Sequence, residues 1–255
     1  MCGRYAASRS PDDLAEEFEV DRVDLRQPLE PDWNVAPTKP VPAVLVRRDR
    51  ESGGLQRRLS VVRWGLVPSW AKDLRIGSRL INARVESVHE KPAFRRAFTA
   101  RRCLLPADGY YEWYGEVRGR KQPFFIRPRD GGVLAIAGLY EIWRDPAVAD
   151  DDDPGAFVWS STVLTTTAED SLGRIHDRMP LTVDRDHWER WLDPGAGEDP
   201  GDLRALLVPA VPGRLEAYPV APLVNDVRAN GPELVRPSPP DEPPGDAALV
   251  QPGRG

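Results

Sequence analysis

The stretch Val133-Leu134-Ala135-Ile136-Ala137-Gly138-Leu139-Tyr140-Glu141-Ile142-Trp143 decides the fold class of this 255-residue chain. Its apolar opening, Val133 to Leu139, is strand-sized and far short of the ~20 residues that a bilayer-spanning helix needs. Working outward, Phe157 to Thr165 lies downstream, and Pro123 to Arg127, Tyr110 to Tyr114 and Arg102 to Leu105 lie upstream, each apolar or alternating over strand length. Pro42 to Val46 and Leu55 to Arg63 read as two more strands joined through the turn sequence Glu51-Ser52-Gly53-Gly54. Leu215 to Val220 reads as a last strand. Helical signals are few. Ser10 and Pro11 cap and start a helix with Leu14 and Phe18 on one face, and Pro92 to Phe98, Arg185 to Leu192 and Asp202 to Leu207 read as short helices. Strands and helices do not alternate regularly. The expectation is an α+β fold with a mainly antiparallel, barrel-like sheet and flanking helices, not a doubly wound parallel sheet.

With 40% apolar and 29% charged residues, the chain is not disordered throughout, and a mean hydropathy of −0.48 argues against a membrane protein. The N-terminus lacks the basic flank and long apolar region of a signal peptide, so a cytoplasmic location is expected. Two cysteines, Cys2 and Cys103, exclude a disulfide scaffold and an all-cysteine zinc site. No glycine-rich nucleotide fingerprint is present, and neither a cofactor nor a metal is expected. The net charge of −5 hides an asymmetry: Val41 to Arg129 holds 20 basic and 8 acidic residues, leaving −17 elsewhere. Such a segment can attract phosphates, although on charge alone a solvated arginine-rich face is the better account. Asp145 to Gly155, with Asp150 to Asp153 in a row, reads as an acidic surface loop. One domain is expected over 2–237, followed by a disordered Pro-rich tail over 238–255.

Cys2 stands where its chemistry changes if Met1 is removed. It then presents an amine and a thiol two carbons apart. The amine can form an imine with an aldehyde, and the thiol can close on that carbon to give a thiazolidine. An α-amino pKa of about 7.8 leaves roughly a quarter of the amine neutral at about pH 7.4, against about 0.1% for a lysine. Holding the thiol beside the imine makes closure intramolecular. Alone, Cys2 reads as a small residue at a frayed terminus.

Further segments change that reading: Cys2-Gly3-Arg4-Tyr5, Trp33-Asn34-Val35-Ala36-Pro37-Thr38, Trp64-Gly65-Leu66-Val67-Pro68-Ser69-Trp70, Ile81-Asn82-Ala83-Arg84-Val85-Glu86, Asp108-Gly109-Tyr110-Tyr111-Glu112-Trp113 and Ile175-His176-Asp177-Arg178-Met179-Pro180. In this order they resemble the SOS-response-associated peptidase (SRAP) family, the abasic-site processing proteins, from Cys2 to about Pro237. The resemblance implies Cys2 as nucleophile, with Asn82, Glu112 and His176 as its catalytic partners. It also implies Arg4, Arg84 and Arg178 as phosphate contacts, with Trp113 and, more weakly, Trp70 stacking on bases. Aromatic neighbours can raise the Glu112 pKa for opening the sugar ring, and His176 can move protons near neutrality. The implied partner is single-stranded DNA containing abasic sites, bound by a monomer without a membrane. The implied activity is a thiazolidine crosslink, with autoproteolytic release of Met1 and lyase action beside it. The alternatives are a thiol peptidase acting on other proteins, with His176 as base, and a non-catalytic single-strand-binding module. His89, His187 and Cys103 are read as packing or surface residues.

Overall fold

The computed structural model describes residues 2–239 apart from 26, 50, 118–119, 169–171, 173–174, 197–198 and 208–212. In chain order its strands are β1 (Tyr5–Ala7), β2 (Arg22–Asp24), β3 (Asp32–Val35), β4 (Pro40–Arg48), β5 (Leu55–Trp64), β6 (Asn82–Arg84), β7 (Arg102–Ala107), β8 (Gly109–Val117), β9 (Arg120–Pro128), β10 (Leu134–Arg144), β11 (Phe157–Thr167), β12 (Arg178–Pro180) and β13 (Leu215–Pro219). The helices are short: α1 (Pro11–Glu17), α2 (Arg95–Ala100), α3 (Trp188–Leu192) and α4 (Pro200–Ala205). The mainly antiparallel, barrel-like sheet expected from the sequence is present.

Strands β5, β4, β7, β10 and β11 are antiparallel neighbours in that order, and β11 returns to β5 through the parallel pairs Ser160↔Arg63 and Ser161↔Trp64, which closes a five-stranded barrel. Closure removes the exposed edges that an open sheet of such apolar strands would present. Because the outside of the barrel is also covered, β7 and most of β10 are buried on both faces and read as near-continuous apolar runs, whereas β5 and β11 also carry polar residues such as Arg57, Ser160 and Thr162. Leu45, Cys103, Leu105, Ile136 and Val163 fill one cluster, while Val44, Leu104, Ala137, Leu139 and Leu164 pack with Leu14 and Phe18 of the α1 region and with Trp188 and Trp191 of α3. Ser10 caps α1, its hydroxyl accepting from the Asp13 amide at 3.1 Å. The helix expected over Pro92 to Phe98 runs from Arg95 instead, with turns over 92–94. The Arg102 side chain is buried and donates to the carbonyls of Phe98 and Trp191 at 2.8 and 2.6 Å, so its charge stitches the ends of α2 and α3 to the barrel.

A second sheet, in the order β13-β9-β8-β1-β3, packs beside the barrel. Gly65, at φ +121°, and Gly77 bring two loop backbones together, and a Cβ on Gly77 would stand 2.5 Å from Gly65 O. This close approach delivers the chain into β6. The acidic loop folds as exposed turns, with Arg144 Nε donating to Asp151 at 2.9 Å. Residues 240–255 of the expected tail lie outside the described residues. Among the described residues no helix is long and apolar enough to cross a membrane.

Candidate active site

Cys2 enters β1, which pairs with β3 at Tyr5↔Val35 and with β8 at Tyr5↔Tyr110. It is fully buried in the cluster that contains Tyr5, Trp64, Tyr110 and Val163. Asn82 opens β6 and donates from Nδ2 to the Cys2 carbonyl at 2.8 Å. That strand lies parallel to β11 (Val163↔Asn82, Thr165↔Arg84), and β12 pairs with the same end of β11 (Thr167↔Arg178). One strand end therefore gathers Asn82, Arg84 and Arg178, with His176 two residues earlier. Glu112 comes from β8. The two-residue period puts it on the face of Tyr110 and Tyr114, which pack in the Cys2 cluster, while Tyr111 and Trp113 pack on the other face.

Burial pushes the Cys2 thiol far above its ordinary range, and the Glu112 charge pushes it the same way. Burial raises Glu112 to about 7, against the pull of the positive charge at the chain's amino end. For His176, burial is again the largest influence and lowers the pKa; the amino-end charge adds to it, and Asp177 opposes. The Arg178 amide N–H donates to His176 Nδ1 at 2.9 Å, and an Asp177 carboxylate oxygen stands 2.9 Å from the same nitrogen.

The arginines differ in how far they are committed. Arg4 donates from Nη1 to Asn34 Oδ1 at 2.6 Å and to the Val224 carbonyl at 2.8 Å, and its guanidinium carbon sits 5.8 Å from the centre of the Trp113 ring. Trp113 is fixed by its own bond from Nε1 to Asn225 Oδ1 at 2.7 Å. Arg178 is held by both oxygens of Glu86 at 2.7 and 3.1 Å and by the Thr165 carbonyl at 2.7 Å. Arg84 is exposed on β6. Trp70 is 59% exposed, and its neighbour Ala71 accepts from Trp143 Nε1 at 2.7 Å, which ties this loop to β10 rather than to the Cys2 pocket. Cys103 is buried in the barrel.

The family model for SOS response associated peptidase (SRAP) matches residues 1–227. This chain belongs to that family. The SRAP chain is 37% identical over 235 residues to "Abasic site processing protein YoaM" of Bacillus subtilis (strain 168), covering 92% of this chain and 97% of that protein. It is 29% identical over 270 residues to "Abasic site processing protein HMCES" of Xenopus tropicalis, covering 92% of this chain and 78% of the relative. A solved protein from Bacteroides thetaiotaomicron superposes with a TM-score of 0.76 at 24% identity, covering 93% of this chain and 100% of that one, and shares the fold.

Two parts of the SRAP site escape sequence reading. Asn34 lies in a quoted motif without a role, yet it is fully buried and bonds to Arg4. The hydroxyls of Tyr5 and Tyr110 are sealed in the Cys2 cluster with no hydrogen-bond partner among the described residues, as is Asn82 Oδ1. A tyrosine in an apolar strand looks like packing, and only the fold shows which hydroxyls face a thiol.

Proposed function

We propose that this SRAP protein captures abasic sites in single-stranded DNA through Cys2 once Met1 has been removed. The abasic sugar rests mostly as a closed hemiacetal. Glu112, near half-protonation at neutral pH, gives and takes the proton that opens it to an aldehyde. The neutral Cys2 amine attacks the aldehyde, and loss of water leaves an imine. The thiol then adds to the imine carbon: a C–S bond forms, the C=N electron pair returns to nitrogen, and the thiol proton passes to nitrogen. The five-membered ring is the crosslink. Hydrolysis reverses it, and β-elimination from the imine gives lyase products. Asn82 positions the nucleophile by holding the Cys2 carbonyl, and His176 serves proton transfer at the imine. Release of Met1 by the protein itself belongs to the same proposal.

The observation that carries this reading is that Asn82 holds the Cys2 carbonyl, while Glu112, raised by burial to about 7, lies on the face of β8 that packs in the Cys2 cluster. A peptidase acting on other proteins has no use for a free terminal amine, which imine formation requires. A passive binding module has no use for a buried carboxyl titrating near neutrality.

The deciding experiment incubates the mature protein with a uracil-containing oligonucleotide, with and without glycosylase pretreatment, and resolves the products on a denaturing gel. A slow-migrating adduct only with the abasic strand is expected, and acetylating the α-amine abolishes it. Acetylated protein that still crosslinks, or no adduct at all, overturns the reading.

A further inference from the structure

Arg4 is held by two partners from distant parts of the chain. Asn34 Oδ1 accepts from Nη1 at 2.6 Å, and the same nitrogen donates to the Val224 carbonyl at 2.8 Å. Val224 belongs to a segment over 222–230 that crosses the site beside Trp113. The segment has little regular structure of its own, with one short 3-10 turn, Pro222–Asn225. What fixes it is again Asn34, whose Nδ2 donates to the carbonyls of Asp226 and Ala229 at 2.9 Å each, with the Val224 carbonyl at 3.4 Å. Asn230 closes the far end, accepting from the Trp33 amide at 2.8 Å and donating to the Pro31 carbonyl at 3.1 Å.

A primary amide is the side chain that can do this in so little space, because one end accepts from the guanidinium while the other donates to carbonyls. An aspartate of the same shape keeps the acceptor, gains a charge and loses both donors. Asn34 is fully buried, so an unmet carbonyl or charge there cannot turn to water. Nη1 is fully used. Arg4 Nε is sealed without a partner, whereas Nη2 is neither sealed nor hydrogen-bonded among the described residues. Asn34 therefore determines which edge of the guanidinium is presented.

We propose that Asn34 is a positioning residue that latches the 222–230 strap onto Arg4 and turns Arg4 Nη2 toward the DNA phosphate beside the captured lesion. This rests on the reading of the protein as an abasic-DNA binder. It assigns to a buried neutral amide, outside the catalytic group, control over one electrostatic contact with the nucleic acid.

The test measures affinity for an abasic single-stranded oligonucleotide across a range of salt concentrations. Each phosphate neutralised on a single strand contributes about 0.7 to the slope of log affinity against log salt. Arg4→Gln is expected to flatten the slope by about that amount. Asn34→Asp, whose new carboxylate neutralises Arg4 in place, is expected to flatten it equally, and the double variant to lose no more than either single one. An Asn34→Asp protein that keeps the wild-type slope overturns the latch, whatever its melting temperature. Arg4→Gln with an unchanged slope overturns instead the reading of Arg4 as a phosphate contact. Should Asn34→Asp fail to fold, hydrogen exchange in Asn34→Ala decides. The latch predicts that amides over 223–229 exchange about tenfold faster once the Asn34 side chain is gone, and unchanged exchange overturns it.

Discussion

The barrel and the Cys2 pocket are stabilised by different physics. In the barrel, β10 and β11 pair over Gly138 to Arg144 with Val163 to Phe157, and Leu139, Tyr140, Val163 and Leu164 are buried there together with the polar Glu141, Ser160, Ser161 and Thr162. Its stability comes from area removed from water, at roughly 25 cal/mol per Å². The pocket hangs on three-residue strands, β1, β6 and β12, which are too short to hold themselves, and on side-chain bonds from Asn34, Asn82 and Glu86. The difference teaches that a rigid apolar frame can carry an expensive site. The hydroxyls of Tyr5 and Tyr110, without a hydrogen-bond partner among the described residues, are buried at a cost that the barrel offsets, and the Glu112 carboxyl is buried beside them.

The sharpest way to separate the two regions is Cys2→Ala, which should reduce adduct on a denaturing gel to background while leaving the melting temperature within a few degrees of the wild type. Loss of folding instead would mean that Cys2 is chiefly a core residue. The converse substitution, Leu139→Ala in the barrel wall, removes a fully buried side chain. It should destabilise by roughly 2–5 kcal/mol in urea unfolding, with the crosslinking rate per folded molecule unchanged.

Glu112→Gln touches both regions. Crosslinking should slow by about 100-fold with DNA affinity retained, and the rate should lose its inflection near pH 7. Stability gives an independent reading of the same group. Folding raises the Glu112 pKa from 4.5 to about 7. The native state therefore holds its proton more tightly, and the associated stability is complete below pH 4.5 and lost as pH rises through about 7. Glutamine should flatten that decline in a series of melts between these values. A decline that persists in the variant would assign it to another group.

Smaller effects probe the ion pair at the pocket's rim. Glu86 is half-exposed, and Arg178 holds its carboxyl below the usual range. Glu86→Gln should release Arg178, raise affinity for single-stranded DNA by about threefold and steepen its salt dependence. Unchanged binding would place Arg178 outside the DNA path. Smallest of all, Asp151→Asn in the exposed loop removes one charged partner of Arg144, which also donates to the carbonyls of Asp145, Val148 and Ala149, and should shift stability by less than about 0.5 kcal/mol.

The frame was legible because long apolar runs carry their own signal. The strands around Pro42, Leu55, Arg102, Val133 and Phe157 were readable within a residue or two at most ends, and the Ser10-Pro11 cap fell where its chemistry demands. The three-residue strands β1, β2 and β12 were not resolved as such, because no period can be read over so short a span. The candidate site was legible as segments through the family resemblance, not as a geometry. Nothing local reveals that Glu86 holds Arg178 or that the barrel closes through a parallel pairing of β5 with β11.

The amino-acid sequence by itself determined the apolar strands, the cysteine at position 2, and the order of the motifs, since hydrophobic period and residue chemistry are local properties. Only the tertiary structure decided which polar groups meet. Asn34 and Val224 are far apart along the chain and share one guanidinium nitrogen. The Glu112 carboxyl titrates near 7 only because other strands exclude water from it. Desolvation and long-range hydrogen bonds depend on what the remainder of the chain places nearby, and that is set when the barrel closes.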